Sequence, residues 1–347
     1  MNAAVAALLA ALLAAGAGSA AAQQRPVDVE ARPIASFGGE SAPEAIGDLT
    51  FLGGLELSSD DPDFGSLSGI DFAPDGRLHA VTDRGVMFSA RLEEADGVPH
   101  ALTNAWMAPL RDPDGNIPER KAERDAESLR FVRHEGAVAA LVSFENLDQI
   151  RVFAHPFDPQ ARPERRPMPR FARGLAETKG LEALAVAPTD GPLAGALVAI
   201  AERSTDSNGN HRGFVLGGPR AGAFSIGRTD AFDVTDAVCL PDGDLLLLER
   251  RFSFSGGLAV RLRLIRGDLI RPGRTVDGRV LLEAGGGYQI DNLEGIAVRP
   301  TAEGPILLTL VSDANHNILQ RTLLLQFAFQ RPPPPVPRRR PSPADGS

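Results

Sequence analysis

One phrase recurs five times along the 347-residue chain: LSGIDFAPDG, AESLRFVRHEG, GLEALAVAPTDG, TDAVCLPDG and DNLEGIAVRP. Aligned on the polar or acidic residue that opens each apolar run, the copies fall at Ser68, Glu127, Glu182, Asp236 and Glu294, with steps of 59, 55, 54 and 58 residues. A period of that length marks a repeat architecture, in which each copy is a unit that buries its apolar surface against its neighbours.

Within each copy a short apolar strand leads into a turn and then a second, more apolar strand. The turns Pro74-Asp75-Gly76, Pro188-Thr189-Asp190-Gly191 and Pro241-Asp242-Gly243 carry hairpin chemistry. The second strands are LHAVTD, VAALVSFE, GALVAIAE, DLLLLE and ILLTLVSD, and later stretches such as RLRLI and RVLLE bring each unit to about four strands. The expectation is an all-β chain, a single β-propeller with five visible repeats and five or six blades. The last unit, residues 294–329, is about one strand short of a period. Residues 46–67 supply the missing length, so an N-terminal strand is expected to complete the last blade and close the ring. Residues 27–37 offer one more strand, and with it a degenerate sixth blade.

The ends read differently from the repeats. Residues 1–22 form an apolar Ala/Leu stretch followed by small residues up to Ala22, the pattern of a signal peptide, and imply a periplasmic or secreted protein. Residues 23–44 are a lead-in, residues 45–330 the propeller, and residues 331–347 a Pro/Arg-rich tail expected to be disordered. The N-terminal apolar stretch is too short for a comfortable membrane span, and no other run approaches the required length. A lone Cys239 makes an internal disulfide impossible and reads as a core residue.

The net charge of −9 becomes −12 for residues 23–330 once the basic tail is set aside. That balance argues against nucleic acid and anionic membrane as partners and suits cations. In each unit a second acid ends the second strand, at Asp83, Glu145, Glu202, Glu249 and Asp313. The start of one strand and the end of its antiparallel partner share an end. Both sets are therefore expected at the mouth of the central channel, where Glu127, Glu182, Asp236, Glu294 and the five second acids would converge. So many like charges require raised pKa values or cations. An excess of oxygen donors suits calcium, whereas the six scattered His residues lack zinc spacing.

The phrases at residues 67–85, 235–252 and 291–329 together resemble the bacterial phytase-like family, described also as esterase-like activity of phytase. The resemblance implies an exported propeller that hydrolyses a small phosphoester or carboxylic ester with calcium assistance. It further implies that Arg84, Arg203, Arg250, Arg251 and Lys179 hold the substrate, with Asn315 beside them, and that His316 acts as acid or base. No Gly-x-Ser-x-Gly elbow is present, because Gly65-Ser-Leu-Ser-Gly69 has Leu67 at its centre. Two other readings stand beside this one: a non-catalytic binding or scaffolding propeller whose rim acids hold the blades, and a lactonase-like propeller hydrolase.

Overall fold

The computed structural model describes residues 24–39, 45–134, 136–173, 180–253, 256–302, 304–314 and 320–331. Five antiparallel sheets, each entered from its innermost strand, follow one another along the chain. Blade 1 runs Leu67–Phe72, Leu78–Thr82, Val86–Ala95 and Val98–Pro109; blade 2 runs Ala126–His134, Ala137–Phe144, Gln149–Ala154 and Glu164–Pro167. Blade 3 is Leu181–Val186, Leu197–Thr205, His211–Leu216 and Gly222–Ile226, and blade 4 is Asp233–Cys239, Leu245–Ser253, Gly257–Ile265 and Arg279–Ala284.

Blade 5 closes the ring. Its three C-terminal strands, Leu293–Pro300, Ile306–Ser312 and Thr322–Phe329, pair in that order, and the last of them pairs with the N-terminal strand Leu49–Ser58, as the count of residues required. The segment that offered a sixth blade instead forms Glu30–Ile34, which adds to the outside of blade 5 against Leu49–Ser58. The propeller therefore has five blades. Short strands also cover two other outer edges: Arg25–Pro26 on blade 1, and Thr275–Val276, which is parallel, on blade 3. Covering an edge removes a row of unpaired backbone groups.

Alternation along the strands explains why the blades stack. In blade 4, Leu245 and Leu247 join the core shared with blade 3, while Leu246 and Leu248 join the core shared with blade 5. Successive side chains of a strand point to opposite faces, so a strand apolar at every position is buried on both. Five such cores, one between each pair of neighbouring blades, hold the ring.

The five innermost strands lie side by side around the axis. They approach so closely that a Cβ on Gly69 would run into the backbone of Ser128 and Leu129, and one on Gly295 into the carbonyl oxygen of Ser68. Below the mouth this throat is filled rather than open. The Arg130 guanidinium, buried, donates to the Ile70 carbonyl at 2.7 Å, to Asp236 Oδ1 at 2.7 Å and to the Ala237 carbonyl at 2.6 Å. Asp236 also accepts from Ser128 Oγ at 3.2 Å, from its neighbour Ala237 N at 2.8 Å and from Ile296 N at 2.9 Å. One ion pair thus ties together blades 1, 2, 4 and 5, and Ser128 Oγ extends it to blade 3 by accepting from Leu184 N at 3.1 Å.

Candidate active site at the acidic rim

Each of the five inner hairpins breaks register at the same height, between Leu67 and Ile70, opposite Val142 and Phe144, and between Leu181 and Ala183, Val234 and Asp236, and Leu293 and Gly295. A β-bulge of this kind re-aims a side chain, and bulges gather next to active sites. The bulge positions are Ser68, Glu127, Glu182, Thr235 and Glu294. Across each hairpin, the residue that follows the partner of the position just before the bulge is Asp83, Glu145, Glu202, Arg250 or Asp313, and Arg250 is itself paired, with Asp233.

Blade 4 therefore differs from the sequence alignment by one residue on both strands. A slip of one residue moves a side chain to the opposite face. Asp236, expected among the metal ligands, is turned into the throat and held by Arg130. Glu249, expected there as well, is buried on the blade 3 side, where Arg263 donates to its two oxygens at 2.5 and 3.0 Å. In their places the rim receives Thr235, whose hydroxyl donates to the Leu293 carbonyl at 3.0 Å, and Arg250. The spacing to the turns carries this register: Ser68, Glu182, Thr235 and Glu294 each stand six residues before a proline, and Asp83 and Arg250 each stand seven after a turn glycine.

The remaining seven predicted acids, Asp83, Glu127, Glu145, Glu182, Glu202, Glu294 and Asp313, come together as one electrostatic cluster. Asp125, two residues before Glu127, joins them. Carboxylate oxygens of Asp125, Glu127 and Glu145 lie within 4.8 Å of one another. Burial, followed by the charges of Asp125, Glu294, Glu145 and Asp83, pushes Glu127 well above the usual carboxylate range. Burial followed by Glu127, Glu202, Glu294 and Glu145 does the same to Glu182. Asp125 rises to about 7 through burial and its hydrogen bond with Glu145, against the pull of Lys121. Glu294 rises to about 7 through burial; Arg250 draws it down, and Asp313 and Glu202 push it up.

Two cations are set into this field among the described residues. Arg250 Nη1 bonds Asn292 Oδ1 and lies 2.9 Å from Glu294 Oε1, and its Nη2 lies 3.9 Å from Glu202. Lys121 Nζ is 3.2 Å from Asp83 and 3.6 Å from Asp125. Arg84 and Arg251 also make contacts away from these acids. Arg84 donates to the Pro62 carbonyl at 3.1 Å and faces Asp63. Arg251, on the opposite face of its strand from Arg250, stacks over Phe232 at 4.6 Å and donates to the Asp230 carbonyl. Lys179, Asn315, His316 and the side chain of Arg203 lie outside the described residues.

A model of the family Phytase-like, esterase-like activity of phytase, matches residues 62–316, a span that contains the whole rim. The chain belongs to this family. No curated protein matches the sequence. Among solved structures, the chain is similar to the α-L-arabinofuranosidase of Lactobacillus brevis (10% identity, 77% of this chain and 92% of that one, TM-score 0.44). It is similar also to a mutant of the α-L-arabinanase of Cellvibrio cellulosa (13%, 74% and 90%, TM-score 0.42) and to the Dos1 propeller (8%, 79% and 73%, TM-score 0.37). For a phytase-like propeller, the chemistry available at the rim is that of an all-oxygen donor set with one guanidinium facing it. The described residues include no helix long and apolar enough to cross a membrane.

Proposed function

We propose that the chain is an exported hydrolase that holds calcium at its acidic rim and cleaves a phosphoester or carboxylic ester there. The observation that carries this reading is the crowding of Glu127 and Glu182, on which the largest electrostatic influences come from other acids. A cation relieves that repulsion. The donor set fits calcium: it is all oxygen, and ligands 2.3–2.6 Å from one ion stand up to about 5 Å apart, a range that admits the oxygens of Asp125, Glu127 and Glu145, which lie within 4.8 Å of one another. These three residues would hold the ion. Bound there, calcium would polarise a phosphoryl or carbonyl oxygen and lower the pKa of bound water.

The rest of the chemistry belongs to side chains of the chain itself. Arg250, a quarter exposed, has a planar fork suited to two oxygens of a phosphoryl group or to a carboxylate. Glu294, with a pKa of about 7 beside it, is poised to take or give a proton near neutral pH. Export is supported by the apolar start of the chain and its small-residue stretch ending at Ala22.

The test is turnover of phenyl phosphate and of phenyl acetate by the purified chain, with added calcium and after chelation. Saturable hydrolysis that chelator removes and calcium restores is the expected result. Hydrolysis indifferent to chelation contradicts the metal assignment, and none on either ester contradicts the hydrolase.

A further inference from the structure

Asp125 has a claimant other than a metal ion. Lys121 opens the short helix Lys121–Arg124, in the connection from blade 1 to blade 2, and Asp125 caps the end of that helix. Residues four apart on a helix share a face. The Lys121 ammonium accordingly lies 3.6 Å from Asp125 Oδ1, and it reaches Asp83 Oδ2 at 3.2 Å. Asp125 is one of the three acids whose oxygens fit one ion, and Asp83 belongs to the same electrostatic cluster. An ammonium and a metal ion therefore ask for the same carboxylate.

The two partners of this contact are held differently. Asp125 is fixed through its backbone: its N–H donates to the Lys121 carbonyl at 3.0 Å, and its carbonyl accepts from Glu145 N at 2.9 Å. The helix is fixed as well, because the Glu123 carbonyl accepts from the buried Arg151 at 2.9 Å. The Lys121 side chain is 64% exposed, so its stem can turn into water while Asp125 stays in place.

The choice of residue points the same way. Of the 36 basic residues only Lys121 and Lys179 are lysines. The pairs that fasten the blades, Arg130 with Asp236 and Arg263 with Glu249, are made by buried arginines. An arginine fork fits two oxygens at once, whereas an ammonium is a point charge on a flexible stem. A divalent ion on Asp125 also repels an ammonium on the same carboxylate.

We propose that Lys121 is a tethered counter-ion that competes with calcium for Asp125 and Asp83, and that binding of the ion releases its ammonium to solvent. This rests on the reading of the rim as a calcium site. Lys121 then sets how tightly the rim takes the ion and has no part in the chemical step.

The experiment measures binding, so it does not depend on turnover. Calcium is titrated by calorimetry into the chelator-stripped full chain as wild type, Lys121→Met and Lys121→Arg. In parallel, acylation of Lys121 by an N-hydroxysuccinimide ester is followed by peptide mass spectrometry with and without calcium. Lys121→Met should bind calcium about fivefold more tightly than the wild type, the scale of one partly exposed ion pair. Lys121→Arg should bind it more weakly, since the fork holds the two acids more firmly. Calcium should speed the acylation of Lys121, whose amine then stands in water. An affinity unchanged or lowered in Lys121→Met overturns the proposal and leaves the calcium site standing. A gain in affinity with acylation unmoved by calcium is a field effect without release, and overturns it too. No calcium binding by the wild type overturns this proposal and the metal reading together.

Discussion

Asp236 in the throat and Glu294 on the rim both lie in an inner strand and are both largely withdrawn from water, yet their surroundings are opposite. Asp236 receives four hydrogen bonds, one from the buried Arg130, and is completely buried. Among the described residues, Glu294 shares Arg250 with Glu202, accepts from Asn292 Nδ2 at 2.8 Å and faces Asp313. A carboxylate whose oxygens are filled by protein donors is structural, because nothing else has room to bind. A carboxylate set among other carboxylates keeps its oxygens for something positive. The contrast teaches that acidity at a propeller axis does not itself mark a site; the balance of donors around each acid does.

The largest effect is expected in the throat. Arg130→Met leaves Asp236 buried without its cation and should cost about 3–5 kcal/mol in denaturant unfolding. Glu127→Gln, by contrast, removes one of several repelling charges and should leave the stability of the calcium-free protein unchanged or raised. Equal losses in the two variants would erase the distinction between the regions.

Next comes activity at the rim. Glu294→Gln should lower kcat/KM by about 100-fold, the scale of a lost general acid or base, with the thermal midpoint retained. A variant that unfolds, or one that keeps full activity, contradicts the role given to Glu294.

The pH dependence of stability sharpens the comparison further. Glu294 and Asp125 are raised in the folded protein from 4.5 and 3.8 to about 7, so the native state holds more protons than the unfolded chain between those values. Their contribution is complete below about pH 4, the unfolded values, and is lost as pH rises through about 7. Calcium-free protein should therefore melt at a lower temperature at pH 8 than at pH 5, and calcium should narrow the gap. The smallest effect concerns Arg250, which draws the Glu294 pKa down. Arg250→Gln should move the corresponding midpoint of the pH–rate profile upward by about one unit, and a downward move would contradict the pairing.

Much of this was written in the sequence. The period, the hairpin turns and the closure of the last blade by Leu49–Ser58 are consequences of residue spacing and strand count, and seven of the nine acids picked from the repeats meet at the rim. Blade 4 misled because alignment on the acids favoured Asp236 over Thr235 and Glu249 over Arg250. Counting from Pro241 and Gly243 restores the register, since the turns rather than the charges fix it. Asp125 carries little periodic signal, because the residue two places before the bulge is acidic in one other copy alone, Asp233, and is Ser66, Gly180 and Asn292 in the rest. The clasp of Arg130 on Asp236 joins residues 106 apart in the chain and depends on how closely five strands crowd the axis, which no local pattern encodes.

The most direct test of the central claim is calorimetric titration of calcium into chelator-stripped protein, with thermal unfolding followed alongside, for the wild type and Glu127→Gln. The account predicts specific binding by the wild type, with stabilisation of about 2.7 kcal/mol at a hundredfold excess over Kd, and loss of both in Glu127→Gln while the variant remains folded. Absence of binding, or binding and stabilisation that survive Glu127→Gln unchanged, would contradict it.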